Sequence, residues 1–215
     1  MLFSDRWNQF IYALWAPVYD TMIRLHPASR VRGRAFELIN IHNTESVLLV
    51  GVGTGADLEF LNSSSLIVAV DISPAMLRRS RAEARRLNVP IVSVCCDASR
   101  LPCADSSFDA VVLTLIVSVV PNPQSCIAES LRVLQPGGKI LVLDKFVATG
   151  QRPSLLRRLL NLLTRPFGTD INRRWEDMSS ELGTTLLDEA SGPGGAIRTI
   201  VVQKSAKSSD DSVLR

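Results

Sequence analysis

Three glycines stand at alternate positions in Val50-Gly51-Val52-Gly53-Thr54-Gly55. Alternate glycines let a ligand lie against bare main chain, where a Cβ would collide. Twenty residues after Gly51, the apolar run Leu66-Ile67-Val68-Ala69-Val70 ends in Asp71. A carboxylate there, at the end of the second strand of a doubly wound sheet, is placed to accept both hydroxyls of a ribose. Ser73-Pro74 opens a helix as N-cap and first helical residue. Met76 and Leu77 in its first turn lie near where a purine would rest. A third apolar run, from Ile91 to Cys96, closes on Asp97-Ala98. Taken alone, the glycine turn also fits the dehydrogenase pattern G-x-G-x-x-A, with Ala56 in the last place. His26 and His42 sit beside expected helix ends, and neither has a patterned partner for catalysis.

These residues need a scaffold. Val47-Leu48-Leu49-Val50 reads as a buried strand, and a helix is expected from about Asp57, its free N–H groups pointing back at the ligand. Further strands are expected over 65–71, 91–96, 110–115 and 139–146, with helices between them. Right-handed crossovers make that sheet parallel and put the ligand over the carboxyl ends beside strand one. Upstream, Phe3, Trp7, Phe10, Ile11, Leu14, Trp15 and Val18 fall at helical spacing. This aromatic helix either caps the domain or lies on a membrane surface. A second helix after His26-Pro27 is expected to turn Val31, Ala35, Phe36, Leu38 and Ile39 inward and Arg30, Arg32 and Arg34 outward. Arg78, Arg79, Arg81, Arg85 and Arg86 read as a solvated face, with contact to an anionic surface as the alternative.

Beyond strand five, Pro153 opens a stretch in which Leu155, Leu156, Leu159, Leu160, Leu162 and Leu163 flank Arg157 and Arg158. From Lys145 to Arg174 there are seven basic residues and one acid, a local net of +6. A basic, leucine-rich helix suits a lid over a site, either alone or in contact with a membrane. Gly168 to Arg174 is a polar cluster that could face substrate. Strands six and seven are expected at 184–188 and 197–203, and Ser205 to Arg215 as a polar, disordered tail.

The 215 residues, 46% of them hydrophobic, suffice for one domain with a full core. A net charge of +3 is too weak to argue for a nucleic-acid partner. Four cysteines without a C-x-x-C pair argue against a zinc site or a disulfide framework and for a reducing compartment. No signal peptide or membrane span is apparent, which suggests a cytoplasmic protein or one held peripherally at the inner face of a membrane.

Together the motifs resemble the class I S-adenosylmethionine-dependent methyltransferases. The resemblance rests on Val50-Gly51-Val52-Gly53-Thr54-Gly55, Val70-Asp71-Ile72-Ser73-Pro74-Ala75-Met76-Leu77, Cys96-Asp97-Ala98, Leu101-Pro102, Ser107-Phe108-Asp109 and Leu134-Gln135-Pro136-Gly137-Gly138-Lys139. It runs from about residue 46 to residue 146. It implies a Rossmann-like, doubly wound sheet of seven strands with strand seven antiparallel between five and six. The expected organisation is a helical cap over 1–44, the methyltransferase domain over 45–204 with a lid insertion at about 150–180, and the tail.

The resemblance further implies S-adenosylmethionine as cofactor. Gly51, Val52, Gly53 and Gly55 would underlie its methionine and ribose portions, and Asp71 would bind the ribose diol. Ile72 and Met76 would pack near the adenine, Asp97 and Ala98 would meet its amino edge, and Thr114 and Leu115 would line the methionine side. One position departs from the family pattern: Leu49 stands where an acidic residue usually helps hold the methionine ammonium.

Within the class, Trp15-Ala16-Pro17-Val18-Tyr19-Asp20 and the glycine turn resemble ubiquinone/menaquinone methyltransferases and bacterial phosphatidylethanolamine N-methyltransferases. That makes Tyr19 the candidate catalytic lid residue. The implied acceptor is a lipid-like or small molecule such as a phospholipid amine. A quinone, a soluble metabolite, or a non-catalytic cofactor-binding protein remain the alternatives.

Overall fold

The computed structural model describes residues 28–41, 44–61, 65–147, 150, 153–164, 169–178, 184–191 and 197–206. The aromatic N-terminal helix with Tyr19, both histidines and the polar tail lie outside the described residues.

The elements run α1 (Ala28–Ile39), β1 (Ser46–Val50), a three-residue 3-10 turn (Leu58–Phe60), β2 (Leu66–Asp71), α2 (Pro74–Leu87), β3 (Ile91–Cys95), β4 (Phe108–Thr114), α3 (Pro123–Val133), β5 (Leu134–Asp144), α4 (Leu155–Thr164), β6 (Thr184–Ser191) and β7 (Ile197–Gln203). They form one mixed sheet in the order β3-β2-β1-β4-β5-β7-β6. β1 pairs in parallel with β2 and β4, β2 with β3, and β4 with β5. β7 runs antiparallel to both its neighbours, β5 and β6.

Strand alternation divides the core in two. Leu48 and Val50 face one layer with Val111, Leu113, Ile140, Val142 and the buried side of α3. Val47 and Leu49 face the other, with Phe36 and Ile39 of α1 and Leu77 and Ala84 of α2. Helices on both faces bury the central strands completely, which is why these strands read as unbroken apolar runs.

Local chemistry sets the helix ends. Ser73 Oγ accepts from Met76 N at 3.4 Å, Pro74 starts α2, and Asn88 ends it in the left-handed region at φ 55°. Asn122 Oδ1 does the same for α3, accepting from Ser125 N at 3.0 Å.

Four expectations are corrected. Among the described residues the first βα connection carries a 3-10 turn at Leu58–Phe60, not a helix from Asp57. β5 begins at Leu134, and Gln135-Pro136-Gly137-Gly138 is its bulged entry rather than a loop before Lys139. Glycine is required there: a Cβ on Gly138 would meet Asp109 O and Leu134 Cδ1, each at 2.8 Å. Arg32 does not face solvent but is 6% exposed. It shares the i, i+3, i+4, i+7 face with Ala35, Phe36 and Ile39, while Leu38 turns out at 38% exposure.

Candidate functional site

The site lies at the carboxyl ends of β1, β2, β3 and β4. β1 ends in a turn that all three glycines enter in the left-handed region, Gly51 at φ 70°, Gly53 at 55° and Gly55 at 91°. Gly51 N and Val52 N both donate to Val70 O at 2.9 Å, which pins the turn to the end of β2. The glycines differ in what surrounds them. A Cβ on Gly51 would strike Ile116 Cδ1 at 2.6 Å, and one on Gly55 would strike Leu58 Cδ1 at 2.9 Å and the α2 backbone at Ser80 Cα, 3.1 Å. At Gly53 the nearest atom is Gly51 O at 4.0 Å, so the backbone borders open space. Gly53 is thus the point where a ligand can lie on bare main chain.

Asp71 joins the two halves of this crevice. Its Oδ2 accepts from Gly53 N at 2.9 Å and its Oδ1 from Ser73 N at 2.8 Å. Each carboxylate oxygen retains acceptor capacity for a further donor. Burial pushes the Asp71 carboxyl above its ordinary value, opposed by the N–H groups of Ser73, Gly53 and Ile72. β3 continues the rim: Cys96 N donates to Asp71 O at 3.2 Å, and Asp97 follows, exposed, with Oδ1 accepting from Ser99 N at 2.8 Å. Ile72 is 38% exposed, whereas Met76 and Ala98 are buried beneath the rim. Thr114 ends β4 and is buried. Leu115 follows at φ 56°, held by its N–H to Leu143 O at 2.8 Å.

Three groups, the first two of them buried, were given no such role by the sequence analysis. Asp57, just past the glycine turn, pairs with Arg32 Nε at 3.1 Å. Burial raises its carboxyl and the guanidinium opposes the shift. Leu49 is core, packed in the same cluster as Leu58.

Asp144 is the second. It is fully buried at the end of β5, its Oδ2 accepting from Ser118 N at 2.8 Å and its Oδ1 from Lys145 N at 2.7 Å. The signal for it was present, since Ile140-Leu141-Val142-Leu143-Asp144 repeats the form of the run that ends in Asp71.

Arg173 is the third. It donates to Val117 O and, at 2.8 Å, to Val120 O, so it and Asp144 together hold the loop that follows β4. The polar cluster near residue 170 therefore builds the wall of the site. Ser107-Phe108-Asp109 proves to be scaffold as well: Asp109 Oδ2 accepts from Glu45 N, Ser46 N and Ser46 Oγ at 2.8–3.0 Å, at the amino end of the sheet.

Residues 48–142 match the family model described as a methyltransferase domain. That match takes in a little less than half of the chain. The fold is similar to that of solved structures at low identity. A Thermotoga maritima protein described as a SAM-dependent methyltransferase and possible histamine N-methyltransferase superposes with a TM-score of 0.68 at 19% identity, covering 92% of this chain and 100% of that one. Among curated relatives, a phosphatidylethanolamine N-methyltransferase of Cereibacter sphaeroides is 35% identical over 102 residues, 46% of this chain and 50% of the relative. A demethylmenaquinone methyltransferase of Renibacterium salmoninarum is 34% identical over 133 residues, 60% of this chain and 54% of the relative. The chain thus spans about half the length of these curated relatives.

The four cysteines are free thiols. Among the described residues no cluster of His, Cys, Asp and Glu could hold a metal ion, and no helix is long and apolar enough to cross a membrane.

Proposed function

We propose that this protein is an S-adenosylmethionine-dependent methyltransferase acting on a lipid-like acceptor, either a phospholipid amine or a quinone ring. The observation that supports it most is the Asp71–Gly53 contact. A partly exposed carboxylate with spare acceptor capacity stands 2.9 Å from the one glycine of the turn that borders open space. That combination fits a ribose diol on Asp71 and the adjoining chain of the ligand on Gly53. Ile72 offers an exposed apolar side chain for the adenine, with Asp97 and Ala98 at its edge and Thr114 and Leu115 on the methionine side.

When bound, S-adenosylmethionine supplies a methyl group on a sulfonium, which passes to an acceptor in a single in-line displacement. The protein's share is alignment and exclusion of water. Asp71 fixes the ribose, the glycine turn removes Cβ atoms from the path, and the loop held by Asp144 and Arg173 forms the far wall. Asp57, buried and paired with Arg32, braces the turn from behind. A dedicated base is not required for an amine that reaches the site unprotonated. Tyr19 is the lid residue of this proposal.

Calorimetric titration with S-adenosylhomocysteine tests the reading, alongside Asp71→Ala. Micromolar binding by the wild type, lost in the variant, followed by labelled methyl transfer to phospholipid or quinone acceptors, is the expected result. A folded wild type that takes up no S-adenosylhomocysteine would leave a non-catalytic protein of the same fold, with Leu49 as the mark of the lost site.

A further inference from the structure

Helix α4 is built inside out. Leu155, Leu159 and Leu162 recur at i, i+4 and i+7 and are 78%, 61% and 63% exposed, with Leu160 at 45% on an adjoining face. Arg158 stands exposed in the same stripe. The opposite side is polar and clamped. Arg157 donates from Nε and Nη2 to Ile171 O, at 2.9 and 2.6 Å, and from Nη2 to Phe146 O at 2.8 Å. Asn161, 6% exposed, accepts from Ile171 N at 2.8 Å and donates to Asp170 Oδ1 at 3.0 Å.

The polar face cannot rotate outward without breaking these bonds, so the leucines face solvent by construction. A soluble helix normally does the reverse. A contiguous stripe of large apolar side chains marks a contact surface.

The segment beneath α4 leads straight to the site. Asp170 N donates to Ser118 O at 2.8 Å, and Arg173 reaches Val117 O and Val120 O. α4 is therefore rigidly coupled to the loop that walls the crevice.

We infer that α4 is an interfacial helix that seats the protein on an anionic lipid bilayer, leucines in the acyl boundary and Arg158 among the phosphates. The local charge selects this occupant. The leucine stripe lies in a stretch from Lys145 to Arg174 with a net of +6, which an anionic surface neutralises. The first 27 residues, with two acids and two arginines, offer no such complement. At ten residues α4 is too short to span a bilayer and long enough to lie on one. The membrane contact stands on the geometry of α4 and the basic charge around it. That it brings the crevice within reach of a lipid acceptor rests on the function proposed above.

Flotation of the full chain on phosphatidylcholine vesicles, with and without phosphatidylglycerol, tests this. The wild type should float with the anionic vesicles and remain below with the neutral ones. The triple variant Leu155→Gln, Leu159→Gln, Leu162→Gln should lose at least about tenfold in partitioning, and Arg158→Glu should weaken it further. Circular dichroism and S-adenosylhomocysteine binding should stay as in the wild type, since none of these side chains lines the crevice.

Three results would overturn the inference: a wild type that floats with neither vesicle, a triple variant that floats as well as the wild type, or a wild-type dimer that the triple variant turns into a monomer, which would assign the stripe to a second copy. Loss of vesicle binding with ligand binding intact leaves the proposed function standing. Absence of ligand binding with flotation intact removes that function and not the membrane contact.

Discussion

Arg32 and Asp57 meet at 3.1 Å with only 7% and 11% of their side chains exposed, bracing the glycine turn against α1. Neither Arg32 Nε nor Asp57 Oδ1 completes a well-directed hydrogen bond among the described residues. A buried pair of this kind is weak evidence of net stabilisation, but breaking it strands a charge. Arg32→Leu should cost about 3–5 kcal/mol in urea unfolding. The double variant Arg32→Leu, Asp57→Leu should recover most of that. Because burial already holds the Asp57 carboxyl high, the deficit of the single variant should shrink as the pH falls through that raised value and the stranded charge is neutralised. A double variant no better than the single one would show that the pair is not coupled.

Gly53→Ala and Gly55→Ala separate binding from packing. Both force an L side chain to a positive φ, at roughly 1–2 kcal/mol. Gly53→Ala adds a methyl group into open space, so its stability loss should stop there, while affinity for S-adenosylhomocysteine should fall more than about tenfold. Gly55→Ala meets Leu58 and the α2 backbone, so its midpoint in urea should drop further. Equal affinity losses in the two would contradict the placement of the ligand at Gly53.

Asp109→Ala checks that the Ser107-Phe108-Asp109 motif is scaffold. It removes the acceptor shared by Glu45 N, Ser46 N and Ser46 Oγ, and Ser46 is 9% exposed. The expected cost is about 1–3 kcal/mol with ligand affinity unchanged, read by unfolding and by calorimetry on the same sample.

Cys126 gives a pH signature. Burial pushes its thiol from 9.0 to about 12. Between those values the unfolded chain loses a proton that the native state keeps, so stability falls as pH rises, by up to about 1.4 kcal/mol per pH unit. Below pH 9 this group should contribute no slope. Cys126→Ala should remove its share of the alkaline slope, and alkylation of Cys126 should require unfolding while the exposed Cys95 reacts in the native protein.

The central strands and the glycine turn were legible because buried parallel strands leave continuous apolar runs and a positive φ leaves glycines. Asp71 was legible because it ends such a run at a fixed distance from Gly51. Arg32 was missed through its residue type, although its spacing from Ala35, Phe36 and Ile39 placed it on the buried face. Periodicity revealed α4 as amphipathic, yet a period cannot say which face looks inward. That was decided by Arg157 and Asn161, whose partners Phe146 and Ile171 lie in other segments.

The sheet order has a consequence for biosynthesis. β7, which follows β6 in the chain, hydrogen-bonds on one side to β5 and on the other to β6, and among the described residues β6 pairs with no other strand. Lys204, just beyond it, donates from Nζ to Leu131 O and Leu134 O and closes the junction of α3 and β5. While the chain emerges from the ribosome, β5 therefore waits with one edge open until β7 follows. Such an edge is a template for unwanted pairing. Until β7 is present, β6 has no partner among the described strands, so the order of synthesis and the order of pairing differ at this edge of the sheet.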